Sequence, residues 1–207
     1  MAKSKKARAK RSKSSSINWG GPAAKGTGPL NIAFGAVAAL GVAGLAAWWW
    51  QGHTTKATFL ALAQAGRPAL ERVETQPNLG RSHLQAGESH NYASAFPTSG
   101  PHSLTPTKPG VYDKPQPPTM LVHALEHGDI VIYYDKPPAD VMNQLEDWAG
   151  LYTGQWDGVI LTPGAGLGEG IVLTAWRKVL TQDRFDAAAA AAFIDEFRGR
   201  GPEHPVR

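Results

Sequence analysis

The chain contains no cysteine. Disulfides, thiolate metal ligands, a thiol nucleophile and covalent c-type haem attachment are therefore excluded. Methionine is scarce: Met1, Met120 and Met142 are the full complement, which argues against a thioether copper(I) site. Acidic residues are missing from the N-terminal third, and the first in the chain is Glu71. The excess of 21 basic over 17 acidic residues thus belongs to one end of the chain. Eight Lys and Arg precede residue 30, whereas from residue 51 onward 13 basic side chains face 17 acidic ones.

Residues 1–28 read as a basic, polar tail with almost no apolar side chains before Ile17. Such a tail can bind nucleic acid, but the adjoining segment supplies another reason for its charge. Leu30 to Trp50 reads LNIAFGAVAALGVAGLAAWWW, with Asn31 the one strongly polar member. At 1.5 Å per helical residue this run spans roughly 30 Å, the hydrocarbon thickness of a bilayer. Trp48, Trp49 and Trp50 close it in the manner of an interfacial anchor, unlike the small-residue end of a cleaved signal peptide. The expectation is one transmembrane helix over 29–51 with the tail in the cytoplasm, as the positive-inside rule requires. The remaining domain, 54–202, then lies in the periplasm or outside the cell, followed by a short tail at 203–207. The expected partners are the membrane and a larger membrane protein complex, with no nucleic acid.

Beyond the apolar run, TTKATFLALAQA (54–65) reads as a helix stopped by Gly66 and Pro68, and 69–75 as either helix or strand. Residues 76–118 are rich in Pro, Ser and Thr, yet hold aromatic and His residues, so they read as an ordered loop wrapped on the domain. Strands are expected at 130–134, 158–162 and 171–176, and helices from Pro138 to about Leu151 and over 186–198. The segment PGAGLGEG lacks G-x-G-x-x-G spacing and joins strand to strand, so it reads as a hairpin loop and not a phosphate cradle. The expected fold class is α+β, a small mixed sheet with helices on one face.

Five of the seven histidines lie between His83 and His127. A helix started by Pro117-Pro118 and ended by Gly128 carries His123, Glu126 and His127 on one arc of about a quarter turn. Two imidazoles four residues apart on a helix can converge on one ion. His102 arrives on a stiff Pro97-Thr98-Ser99-Gly100-Pro101 turn, and His83 is the natural fourth ligand. All-imidazole sites suit zinc or copper(II), so the candidate metal ligands are His83, His102, His123 and His127, with Glu126 beside them. HALEH also fits H-x-x-E-H, a zinc-peptidase signature in which Glu activates water, although no helix here offers a third ligand. The plain structural alternative is that His123 and His127 complement a helix C-terminus and that His102 caps a turn.

With these blocks in view, Gly80 to Pro202 resembles a bacterial family of membrane-anchored proteins known as domain of unknown function 3105. The resemblance rests on His83, PTSGPH (97–102), GVY (110–112), LVHALEHG (121–128), LTAW (173–176) and FRGRGP (197–202). It implies a short basic N-terminus, one membrane helix and an exported domain, and it implies that His83, His102, His123, Glu126 and His127 belong to the family pattern. His90 falls outside that pattern, and the loop before LTAW is unusually Gly-rich. The expected function is copper or zinc handling or delivery by a membrane-anchored exported protein. The rival expectation is a non-catalytic accessory subunit of a membrane complex with structural histidines.

Overall fold

The computed structural model describes residues 52–207. The expected basic tail and the transmembrane run at 29–51 lie outside the described residues. Among those described, no helix is long and apolar enough to cross a membrane. Helix α1 covers 52–65 and leads through a 3-10 turn, Arg67–Arg72, into the two-residue strand β1, Glu74–Thr75. The segment 69–75 is therefore partly helical turn and partly strand. After a long irregular stretch come β2 (Gly110–Val111), α2 (Pro118–His127), β3 (Ile130–Tyr134) and α3 (Ala139–Leu151). β4 (Val159–Pro163), β5 (Ile171–Ala175), β6 (Lys178–Gln182) and α4 (Ala187–Phe197) complete the order.

The strands form one mixed sheet in the order β1-β6-β5-β3-β4-β2. β3 runs parallel to β4 and antiparallel to β5, so it is the centre on which the sheet is built. Its sequence, IVIYY, has no polar alternation because both faces are covered. Ile130 and Ile132 face a core made with α1, α3 and α4, through Phe59, Leu145, Trp148, Phe193 and Ile194. Val131 and Tyr133 face a second core with Leu121, Ala124 and Leu125 of α2. Helices therefore cover both sides of the sheet, which corrects the one-face expectation. The continuous apolar runs of β3 and β5 already required a second cover, and α2 with the 76–117 loop provides it.

Two further corrections concern connections. PGAGLGEG is not a hairpin, because β4 and β5 are separated by β3. The loop instead arches over the end of β3, where Gly164 N–H donates to Tyr134 O (2.7 Å) and Lys136 N–H to Gly168 O (2.8 Å). The hairpin is β5–β6, whose two-residue turn is Trp176-Arg177. It lacks the Asn-Gly or Asp-Gly pair that marks such turns, and Arg177 takes φ +60°. Contacts from outside hold it there: its N–H reaches Thr98 O (3.0 Å) and its Nε reaches Gln76 O (3.1 Å).

α1 docks through Phe59, fully buried edge-on against Trp148 and Tyr152 with ring centroids 5.4 and 5.2 Å away. Phe59→Ala should lower unfolding stability by about 3–5 kcal/mol, the usual cost of deleting a buried ring. Leu60→Ala, at a side chain 46% exposed, should stay within about 0.5 kcal/mol. Urea unfolding of the two variants checks which face of α1 meets the core.

Candidate metal centre

α2 is buried on every side from Leu121 to His127. Its apolar side lies on the sheet, and its polar side, His123, Glu126 and His127, lies under two strips of irregular chain. The first strip is the 77–107 loop. Residues 82–84 pair with 102 as a short parallel bridge, His102 N–H donating to Ser82 O (2.9 Å) and Leu84 N–H to His102 O (2.8 Å). The bridge sets His83 beside His102. The same loop is pinned to the start of α2 by Ser103 N–H to Thr119 O and Thr107 N–H to Met120 O, both 3.1 Å.

The second strip is the chain after α4. Gly199 N–H donates to Gly128 O (2.8 Å), and Glu203 N–H to Glu126 O (3.3 Å). Gly201 lies so close that a Cβ there would overlap the carbonyl of Glu126 and the nitrogen of Gly128. FRGRGP thus does more than stop a helix: it lays residues 199–203 along the end of α2 and delivers Glu203 to the histidines. Glu203 falls in the segment 203–207 that the sequence reads as a tail. Its one signal in the sequence was a carboxylate just past a Gly-Pro stop, too weak to find it by.

The imidazoles of His83, His102 and His123 form a triangle with ring centroids 4.9, 5.0 and 5.0 Å apart. His102 Nδ1 lies 2.9 Å from Gly100 O, and His123 Nδ1 lies 2.7 Å from Ser103 O. A carbonyl oxygen can only accept, so both Nδ1 atoms carry a ring proton, and in the neutral imidazole each Nε2 presents a lone pair. His102 is wholly buried, and its Nε2 has no hydrogen-bond donor among the described residues. It stands 3.0 Å from Glu126 Oε2, a second acceptor on a side chain only 5% exposed. With the imidazole neutral, two buried acceptors face each other and repel unless a proton or a metal cation lies between them. The other carboxylate oxygen of Glu126 is 4.0 Å from the exposed Arg81 guanidinium.

Ligand atoms of His83, His102, His123 and Glu126 all lie within 4.8 Å of one another and could hold one metal ion. His83 is the exposed member of the four. His127 belongs to a second group with His123 and Glu203. Its ring stacks on Trp156 (centroids 4.0 Å, 32°), and its Nε2 is 3.0 Å from Glu203 Oε2. The five residues singled out in the sequence are thus neighbours, but His127 meets the first group only through His123, its ring centroid 4.6 Å from that of His123. In the peptidase pattern Glu126 would face a substrate water; here its Oε2 is turned to His102. His90 packs on Tyr92 (4.6 Å) and is in neither group. Trp176 and Tyr112 serve the second apolar core.

Burial pushes the His123 imidazole down to about 4, helped by the neighbouring His127, His102 and His83 and opposed by its bond to Ser103 O. Between about pH 6.5 and 4 the unfolded chain therefore binds a proton that folded His123 refuses. This contribution to stability is full above about 6.5 and lost as the pH falls through about 4. For the metal-free protein, the gap in melting temperature between wild type and His123→Asn should narrow on acidification across that window. Asn keeps an amide nitrogen near the position of Nδ1 and removes the titration, so parallel curves would contradict the assignment.

Neither a curated protein nor a solved structure matches the chain. The family model described as protein of unknown function (DUF3105) matches residues 83–207, a span that begins at the first histidine of the cluster and runs past Glu203. With the match covering more than half of its length, the chain belongs to that family.

Proposed function

We propose that His83, His102, His123 and Glu126 hold one divalent metal ion, zinc or copper(II), and that the protein binds and hands on that metal at a membrane surface. The observation that carries the reading is the pair of buried acceptors, His102 Nε2 and Glu126 Oε2, at 3.0 Å. Two ligands of one tetrahedral ion with bonds near 2.0 Å stand about 3.3 Å apart, close to that spacing. The donor set is nitrogen and oxygen with no sulfur, which suits zinc and copper(II) and not copper(I). Backbone carbonyls orient the His102 and His123 rings, the usual way a protein fixes the ligating tautomer. His83 is exposed, so one ligand can leave the ion without unfolding the site, as exchange requires.

Elemental analysis of the full chain, purified without a histidine tag and offered zinc and copper together, tests this reading. About one equivalent is expected. His102→Asn should abolish it, Glu126→Gln should weaken it by at least about tenfold, and His90→Ala should leave it intact. A metal-free wild type that takes up neither ion would mean that a proton fills the gap between His102 and Glu126. The histidines would then be structural and the accessory-subunit reading would stand.

The reading also puts the apolar run 30–50 in the membrane, residues 1–28 in the cytoplasm and the metal domain on the opposite side. The basic tail, the Trp triplet and the length of the run support it. The wild type has no cysteine, so single cysteines report without background. Cysteine at Ser14 should resist a membrane-impermeant thiol reagent in intact cells or spheroplasts, and cysteine at the exposed Thr181 should label. The reverse pattern would overturn both orientation and location.

A further inference from the structure

His123 belongs to two sets of partners: His83, His102 and Glu126 in one, His127 and Glu203 in the other. Its Nδ1 is committed to the Ser103 carbonyl. One lone pair, at Nε2, remains for both sets, and a ring nitrogen binds one ion at a time.

Glu203 Oε2 lies 3.0 Å from His127 Nε2 and 3.9 Å from His123 Nε2. A proton on His127 Nε2 answers only the first of these contacts. The second leaves an imidazole lone pair facing a carboxylate, the same unanswered arrangement as in the inner group. The two groups differ in how firmly they are held. The inner carboxylate, Glu126, is 5% exposed, whereas Glu203 is 41% exposed on an irregular strip. His102 and His123 have their Nδ1 protons fixed by carbonyls. The buried Nδ1 of His127 has no partner among the described residues. With no carbonyl to fix its tautomer, His127 can move its proton to Nδ1 and present a lone pair at Nε2.

We propose that His123, His127 and Glu203 form a second, outer position for the same metal ion, with its carboxylate on the exposed strip after α4, and that the ion passes to and from the inner position by exchanging partners around His123. The proposal rests on the metal-binding reading above. In the exchange the bond from the ion to His123 Nε2 is kept. Bonds to His127, Glu203 and one solvent water break as bonds to His83, His102 and Glu126 form, with the water released and no change in oxidation state. The inner position has the larger and better-oriented donor set and is the resting site. The outer one is a staging point, and sharing His123 limits the protein to one ion at a time.

The test is the rate at which an excess of fluorescent chelator removes zinc from the full chain, with wild type compared against Glu203→Gln and against Glu196→Gln as a surface control. Glu203→Gln keeps the backbone bond to Glu126 and should melt as wild type does. It should still bind one equivalent at little-changed affinity, while uptake and release both slow by about tenfold or more. Glu196→Gln should match wild type. Equal rates in wild type and Glu203→Gln would overturn the proposal. So would two equivalents bound by wild type, because the positions would then be independent. Complete loss of zinc from Glu203→Gln would overturn it too, by making Glu203 a ligand of a single site. A wild type that binds no zinc would overturn the underlying metal reading, an outcome distinct from the other three.

Discussion

The domain depends on burying the polar side of one short helix. α2 is covered on the sheet side by apolar packing and on the other side by irregular chain, so His123, Glu126 and His127 are removed from water together. Desolvating a carboxylate and two imidazoles costs several kcal/mol unless each finds a partner. Much of the rest of the molecule reads as the provision of those partners. The 77–107 loop supplies His83, His102 and two carbonyls, and the strip after α4 supplies Glu203. The β3-centred sheet is the platform against which α2 is held still while this happens.

This constraint gives the long irregular stretch its order. The four prolines of this loop, Pro77, Pro97, Pro101 and Pro106, cannot donate to a sheet ladder, but their φ angles are fixed before folding. Here the loop is stitched to itself through Ser99, whose Oγ accepts from Leu79 N–H at 3.0 Å and donates to Pro77 O at 3.1 Å. The Thr98 and Gln76 carbonyls of the same stretch hold the β5–β6 turn in place through Arg177. One loop therefore carries ligand candidates and also closes the sheet edge, and the two roles are mechanically coupled.

The legible parts of the sequence were those whose signals are local. HALEHG announced a helix with both imidazoles on one side and a Gly stop, and Gly128 does cap α2 at φ 111°. Pro137-Pro138 announced α3, and the apolar run IVIYY announced β3. The parts that stayed hidden were fixed by distant chain. β6 was missed because its turn, Trp176-Arg177, is held by tertiary hydrogen bonds and not by turn residues. The order of strands could not follow from PGAGLGEG, since a Gly-rich loop serves a hairpin and a crossing over a neighbouring strand equally well. The division of the histidines into two groups was invisible because it depends on Glu203, which reaches α2 only through the close backbone approach at Gly201 and Gly128.

The orientation of the two inner rings rests on main-chain carbonyls, at Gly100 and Ser103, and this has a consequence for how the site can vary over time. A carbonyl is present whatever side chain its residue carries. Position 103 can therefore drift among residues that keep the local backbone path without turning the His123 ring. Gly100 lacks that freedom, because its φ of +120° strains any side chain and an added Cβ would stand only 3.3 Å from the Tyr92 ring. Two positions with the same job are thus open to very different substitutions. The histidines' orientation can be inherited through lineages in which Ser103 is lost and Gly100 is kept.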